Sequence, residues 1–178
     1  MIVSPKEVLD FWFEECEPSE WFKKSEAFDA EIRTRFLETY EAIVSGDTAE
    51  WRKSAQGRLA EIIVLDQFAR NMFRDDAKAF AADELAVELA KEALPYWDEF
   101  SIQERSFVVM PFMHSESLEV HEWASKWFDE PGLERRKKYE LMHREIIERF
   151  GRYPHRNHVL GRTSTPEEEA FLREHPGF

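Results

Sequence analysis

The chain has 178 residues, of which 43% are apolar and 14% aromatic. This length and composition suit one folded domain over residues 1–178 and exclude a disordered chain, which would contain few aromatic residues. Its 37 acidic residues outnumber the 24 Lys and Arg residues, which gives a formal net charge of -13. Because so acidic a chain repels phosphate backbones at long range, we expect no nucleic-acid partner.

The N-terminal residues and the cysteine content predict a soluble, cytoplasmic protein. Cys16 is the one cysteine, so no disulfide can form within the chain, as is usual in a reducing compartment. Pro5, Lys6, Glu7 and Asp10 lie where a secretory signal needs an apolar stretch. No run approaches the roughly 18 apolar residues of a membrane span, so we expect no membrane partner.

Helix start and stop signals recur in the first half of the chain. Ser4 and Glu7 have the spacing of a capping box around Pro5, which predicts a helix that ends before Pro18. The second predicted helix has apolar residues at positions 28, 32, 36, 40 and 43 and ends at Gly46. In all, the first half is predicted to form helices over residues 4–17, 25–44, 48–53, 54–73 and 80–94.

The second half of the chain continues the helical pattern. Pro95 is predicted to end the fifth helix, Ser101 and Glu104 form a capping box that begins the sixth, and Thr165 begins the last. β-branched runs are short and lie inside helical patterns. The sequence therefore predicts an all-α fold of stacked antiparallel helix hairpins. The helices of this half are predicted over residues 101–111, 117–128, 133–150 and 165–175.

The fourth predicted helix carries charged residues among apolar ones. Asp66 and Arg70 continue an apolar stripe at three- and four-residue steps, and their spacing allows them to pair. A buried charge needs a partner, because its desolvation is costly. Two interpretations stay open: a structural ion pair with a neighbouring helix, or a pocket wall that also presents Gln67 and Asn71 to a ligand.

Pro111 interrupts a second buried helix. A proline inside a helix frees a carbonyl one turn earlier and bends or ends the helix. His114, Ser115 and Glu116 follow this break directly, where their side chains can converge with free backbone groups. The serines of this region are typical of a cap for the next helix. His114 has no such capping role, which makes it a candidate for a functional site.

The segment from Arg149 to Arg162 is basic in an otherwise acidic chain. Its fourteen residues include four arginines and two histidines, and none of them is acidic. Glycines and Pro154 make it a shaped loop, which suits the binding of a carboxylate or phosphate by bidentate arginine contacts. The alternative is that these arginines pair with carboxylates of the same chain, for example Asp66.

Metal and nucleophile motifs are weak in this sequence. His155 and His158 are three residues apart, but no His-Glu-x-x-His pattern is present, so we expect no metal site and no cofactor. His143 lies on a predicted helix stripe, where a hydrogen-bonded core histidine is the ordinary interpretation. Cys16 follows Glu14 and Glu15, whose charges are expected to raise its pKa and make it a poor nucleophile.

Three blocks of the chain resemble the signature blocks of a bacterial family, domain of unknown function 924. They are Leu-Asp-Gln-Phe-Ala-Arg-Asn-Met-Phe-Arg at residues 65–74, Met-Pro-Phe-Met-His-Ser-Glu at 110–116, and Arg-Phe-Gly-Arg-Tyr-Pro-His-Arg-Asn at 149–157 with the segment 160–168. Ala69 departs from the family pattern, which commonly has proline there. The resemblance implies a tetratricopeptide-like right-handed superhelix and no established activity or cofactor.

Together the three segments predict one polar pocket. The leading interpretation is a scaffold that binds a small anionic molecule or a peptide carboxylate. The second is a hydrolase or lyase in which His114 or His155 is the general base, Asp66 orients it and arginines stabilise an oxyanion. The third is a structural ion-pair network without a ligand. The candidate ligand-binding residues are Asp66, Gln67, Arg70, Asn71, His114, Ser115, Glu116, Arg152, His155, Arg156 and Asn157.

Overall fold

The computed structural model describes residues 1–177. Within this range ten segments are α-helical and no residue lies in a strand, so the predicted all-α class is confirmed. The helices are α1 (Pro5–Asp10), α2 (Glu26–Val44), α3 (Ala55–Ile63), α4 (Ala69–Met72), α5 (Asp83–Ala93), α6 (Ile102–Val108), α7 (Met110–His114), α8 (Leu118–Ala124), α9 (Glu134–Phe150) and α10 (Pro166–Glu174).

Capping residues determine where these helices begin. Ser4, Ser101 and Thr165 each accept a hydrogen bond from the backbone N–H three residues later, and the glutamate at that position bonds back to the cap. Ser25 and Ser117 cap α2 and α8 through their side chains alone. Each of these side chains satisfies a backbone donor that the helix itself leaves without a partner. The predicted starts of these helices are confirmed.

Several predicted helices differ from the observed ones. The first changes to π geometry at Phe11–Glu15, and the third is a 3-10 segment, Ala49–Lys53. The helix predicted over residues 54–73 contains a wider π turn at Val64–Phe68, between α3 and α4. Pro95 does not end the helical structure after α5, because it occupies the first turn of a 3-10 segment, Leu94–Glu99, where its missing N–H needs no partner. The helix predicted over residues 117–128 also tightens into 3-10 geometry at Ser125–Asp129.

A break is present near Pro111, but it lies at Val109, two residues before the proline, so His114 ends the next helix and does not directly follow the break. α6 ends at Val108, and Pro111 lies in the first turn of α7, where a proline is tolerated. α7 is only five residues long and ends at His114, after which Ser115 has an extended backbone conformation. The short helix therefore places His114 at its C-terminal end, directly before the loop that leads to α8.

The main core is rich in aromatic residues. Phe36 lies 5.0 Å from Phe11 and 4.7 Å from Phe68, measured between ring centroids, and all three are buried. Burial of each such side chain contributes about 1.5–3 kcal/mol. Tyr153 and Phe171 belong to a smaller cluster that packs the chain after α9.

In residues 1–177 no helix is long and apolar enough to cross a membrane.

Candidate functional site

Asp66 lies at the centre of the site, inside the π turn of the central helix. It is 1% exposed, its Oδ1 accepts a hydrogen bond from His114 Nδ1 at 2.7 Å, and its Oδ2 accepts one from Gln67 Nε2 at 2.7 Å. Burial would raise the pKa of Asp66, but His114, Arg70 and these hydrogen bonds outweigh it and lower the pKa to about 2. Asp66 is therefore a buried, ionised carboxylate.

The imidazole of His114 is oriented by Asp66. Burial and the positive charge of Arg70 lower its pKa, while Asp66 acts in the opposite direction. The ring is therefore neutral near pH 7, with its Nδ1–H donated to Asp66. Nε2 then carries a lone pair, no group of residues 1–177 hydrogen-bonds to it, and the side chain is 13% exposed. A carboxylate that orients a neutral histidine in this way is the arrangement of a general base.

Arg70 pairs with a carboxylate that the sequence did not indicate. Its guanidinium donates two hydrogen bonds to Asp83, at 2.9 and 3.0 Å, and one to the backbone oxygen of Asp66 at 2.9 Å. The carboxylate of Asp66 is 3.6 Å away, beyond a hydrogen bond. The predicted pairing of Asp66 with Arg70 is therefore present as an ion pair without a hydrogen bond: the carboxylate of Asp66 bonds to His114, and Arg70 connects the central helix to α5.

Arg156 connects the basic segment to the end of α7. Its guanidinium carbon lies 4.4 Å from the ring centroid of Phe80 and 4.7 Å from that of Tyr153, and its Nη2 donates to the backbone oxygen of His114 at 2.8 Å. Asp83 and Glu116 approach it only to 3.6 and 3.8 Å. Arg156 is thus buried with carboxylates nearby but without a bidentate pair, and burial lowers its pKa.

Glu116 holds the basic segment against the Pro111 break. It accepts two hydrogen bonds from Arg162, both at 3.0 Å, and one from the backbone N–H of Tyr153 at 2.7 Å. Burial would raise the pKa of Glu116, but the bonds from Arg162 and Tyr153 lower it. Both carboxylate oxygens of Glu116 therefore accept hydrogen bonds from groups of the protein itself.

Five predicted site residues lie in other hydrogen-bonded groups. Arg152 and Asn157 both bind Glu168 of α10, and Arg152 does so with two bonds, at 2.9 and 2.7 Å. His155 donates to the backbone oxygen of His175 and contacts the ring of Phe171. The single pocket predicted from all three segments is therefore corrected: the structure brings together Asp66, Gln67, Arg70, His114, Glu116 and Arg156, and it places Asn71, Ser115, Arg152, His155 and Asn157 in other contacts.

The side chains of Asn71 and Ser115 make contacts that do not involve His114. The side-chain amide of Asn71 donates to Asp29 of α2 at 2.8 Å, where Arg74 also binds. The hydroxyl of Ser115 accepts from the backbone N–H of Ser117 at 3.1 Å. These bonds connect helices and shape a turn, respectively. They do not direct either side chain to His114.

A second histidine–carboxylate pair was missed by the sequence reasoning. His121 Nδ1 lies 2.6 Å from Glu140 Oε1, and its Nε2–H donates to the backbone oxygen of Ser115 at 2.6 Å. Burial raises the pKa of Glu140. The pair is enclosed and anchors the segment after His114 to α8 and α9. Its signal in the sequence is one histidine and one glutamate on two helices, which is too common to identify a pair.

His143 supports the ring of His114 from α9. Its Nδ1–H donates to the backbone oxygen of Tyr139 at 2.7 Å, as expected for a core histidine, and its ring centroid is 6.5 Å from that of His114. Burial, followed by neighbouring positive charge, lowers the pKa of His143 to about 4. Both rings are thus neutral near pH 7.

Neither a metal nor a reactive thiol is indicated by the described residues. Between residues 1 and 177 no three His, Cys, Asp or Glu side chains are grouped to hold a metal ion, and the absence of a metal stays a prediction. Burial, aided by Glu20 and Glu31, raises the pKa of Cys16 to about 12. The poor reactivity expected for this thiol thus has burial as its main cause.

Comparison with known proteins gives two similarities. The profile of a family described as bacterial protein of unknown function, DUF924, matches residues 8–176. A protein of unknown function from Agrobacterium tumefaciens, ATU0120, has a similar structure, with a TM-score of 0.90, 36% sequence identity, and coverage of 96% of this chain and 97% of that one. No curated protein matches the chain.

Proposed function

We propose that this chain, which belongs to the bacterial DUF924 family of unknown function, binds a small anionic molecule at His114. On binding, the protein takes up a proton. The observation that carries this proposal is the pair of Asp66 and His114. The Nε2 atom of His114 has no hydrogen-bond partner among residues 1–177, and the His114 ring is partly exposed. A purely structural histidine would use both nitrogens or be closed off from solvent.

Proton uptake follows from the electrostatics of this pair. The lone pair on neutral Nε2 repels an anion, whereas a protonated ring donates a hydrogen bond to it. Asp66 stabilises the imidazolium that forms, and Arg156 adds positive charge beside the same backbone segment. A bound anion is therefore expected to raise the pKa of His114, so that binding and protonation are linked.

A hydrolase or lyase is the second candidate, and the orientation of His114 by Asp66 favours it. A neutral histidine with a free Nε2 can accept a proton from a substrate or a water molecule, which is general-base catalysis. His155 is not supported as the base, because it bonds to His175 and not to Asp66. The two candidates differ in one respect: a catalyst consumes its ligand, whereas a binding protein returns it unchanged.

The experiment that tests the proposal is calorimetric titration with acetate and inorganic phosphate. Each is measured at pH 7 in two buffers with different ionisation enthalpies, so that the difference in heat reports the protons taken up. We expect the wild-type protein to take up as much as one proton per anion and His114→Gln to take up none. His158→Gln, which removes an exposed imidazole, is the matched control. Binding of neither anion, or binding without proton uptake, would contradict the proposal.

The proposal also includes the predicted cellular location, superhelical fold and partners of the protein. A cytoplasmic location is supported by the single, buried cysteine. A tetratricopeptide-like superhelix of stacked hairpins is supported by the pairwise packing of α3 on α5, α5 on α7 and α7 on α9. The absence of nucleic-acid and membrane partners is supported by the net charge of -13.

A further inference from the structure

Arg136 differs from the other arginines around this site. Arg70 and Arg162 donate bidentate hydrogen bonds to carboxylates, and Arg156 donates to a backbone oxygen. The Nε of Arg136 is buried without a hydrogen-bond partner, and no carboxylate of residues 1–177 lies within ion-pair distance of its guanidinium. Arg136 as a whole is half-buried, and a partly desolvated cation without such a pair favours a ligand that supplies the missing charge.

The position of Arg136 on α9 directs it toward the same site. Arg136, Glu140 and His143 follow one another at helical steps of four and three residues and therefore share one face. This face contacts α8, where Glu140 bonds to His121, and α7, where the ring of His143 lies beside that of His114. Asp66 is also near enough to Arg136 to counteract the lowering of its pKa by burial.

Charges around the site leave one positive charge in excess. Four guanidinium groups stand against three carboxylates, and the pair of His121 and Glu140 is enclosed and not counted. The excess corresponds to Arg136, because the carboxylates bind the others or approach them closely. A ligand with a single negative charge would complete this balance. The groups counted are Arg70, Arg136, Arg156 and Arg162, with Asp66, Asp83 and Glu116.

An exposed aromatic ring lies beside this arginine. The guanidinium carbon of Arg136 is 5.4 Å from the ring centroid of Phe22, and the Phe22 side chain is one of the few large apolar groups left exposed, at 59%. Phe22 stacks on the buried ring of Phe107 at 6.4 Å, so its position is supported by the core. A cation and an exposed ring next to each other fit a molecule with one charged end and an apolar body.

We infer that Arg136 and Phe22 bind a monocarboxylate with an apolar body, whose carboxylate pairs with Arg136 and extends toward His114. This inference rests on the proposed anion site and names its ligand class. The carboxylate would supply the charge that Arg136 lacks, and the apolar body would cover Phe22. A phosphate has a larger charge and no apolar body, so it would fit this surface less well.

Titration with benzoate tests the inference, with neighbouring Arg135 as the control. Arg135 is exposed on the same helix, so Arg135→Met makes the same change in charge. We expect Arg136→Met to raise the dissociation constant of benzoate about tenfold or more, as for the loss of a charged hydrogen-bonded pair, and Arg135→Met to change it less than about twofold. Phe22→Ala should weaken benzoate while leaving acetate unchanged, because only benzoate covers the ring.

The outcomes separate this inference from the proposed function. If Arg136→Met binds benzoate as the wild-type protein does while His114→Gln loses it, Arg136 is not a ligand-binding residue and the anion site remains. Binding of phosphate with proton uptake but not of benzoate overturns the monocarboxylate class alone. Binding of none of the probes overturns both. Arg136→Gln, which removes the charge but keeps a polar side chain, serves if Arg136→Met fails to fold, and there an unchanged affinity for benzoate would overturn the role of Arg136.

Discussion

Replacing Asp66 by alanine is expected to lower the free energy of unfolding by about 3–5 kcal/mol, as for removal of one partner from a buried charge pair. The carboxylate is 1% exposed and accepts bonds from His114 and Gln67. Without it, the imidazole N–H and the amide are left buried without their acceptor. Arg70 also loses a neighbouring negative charge, although it keeps both bonds to Asp83.

Urea denaturation at pH 7 measures this effect. Asp66→Asn retains an oxygen that accepts the bond from His114 but loses the charge, so its destabilisation should be smaller than that of Asp66→Ala. Asp98→Ala is the control, because that carboxylate is fully exposed and surface substitutions typically change stability by less than about 0.5 kcal/mol. A midpoint for Asp66→Ala close to that of Asp98→Ala would mean that Asp66 contributes no net stability in its buried position.

Most helices could be predicted because their signals are local. A serine or threonine cap and its glutamate act within four residues, as at Ser4, Ser101 and Thr165, so the sequence contains the complete interaction. The π turn at Val64–Phe68 has no comparable local signal. It adds a residue to one turn of the central helix and is where Asp66 lies, so the part of the helix that matters most for the site was the least predictable.

Charge partners were harder to predict than helices, because they depend on tertiary packing. The excess of arginines between Arg149 and Arg162 was consistent with a ligand as well as with carboxylates of the same chain. In the structure Arg152 binds Glu168 and Arg162 binds Glu116, and the partners of neither pair are neighbours in the sequence. Arg136 was not predicted as a site residue for a related reason. It lies in a run of four basic residues, 135–138, that resembles a solvated helix face.

The protein is expected to lose stability on acidification between pH 6.5 and about 4 because of His143. Burial holds the pKa of this histidine at about 4 in the folded chain, against 6.5 as its ordinary value. Between these values the unfolded chain binds the proton and the folded chain does not, so the free energy of unfolding falls as the pH falls. The contribution is fully present above pH 6.5 and is lost as the pH falls through about 4. At 1.36 kcal/mol for each pKa unit, it amounts to about 3 kcal/mol.

Urea denaturation of His143→Gln across this pH range isolates the effect. The glutamine amide can donate to the backbone oxygen of Tyr139, as the imidazole does, but it does not titrate. The variant should therefore lose about 3 kcal/mol less stability than the wild-type protein between pH 6.5 and 4. Glu140, whose pKa is raised by burial, acts in the opposite direction, but it is present in both proteins and cancels in the difference. A curve for His143→Gln that runs parallel to the wild-type curve would mean that burial does not lower the pKa of His143 in the folded protein.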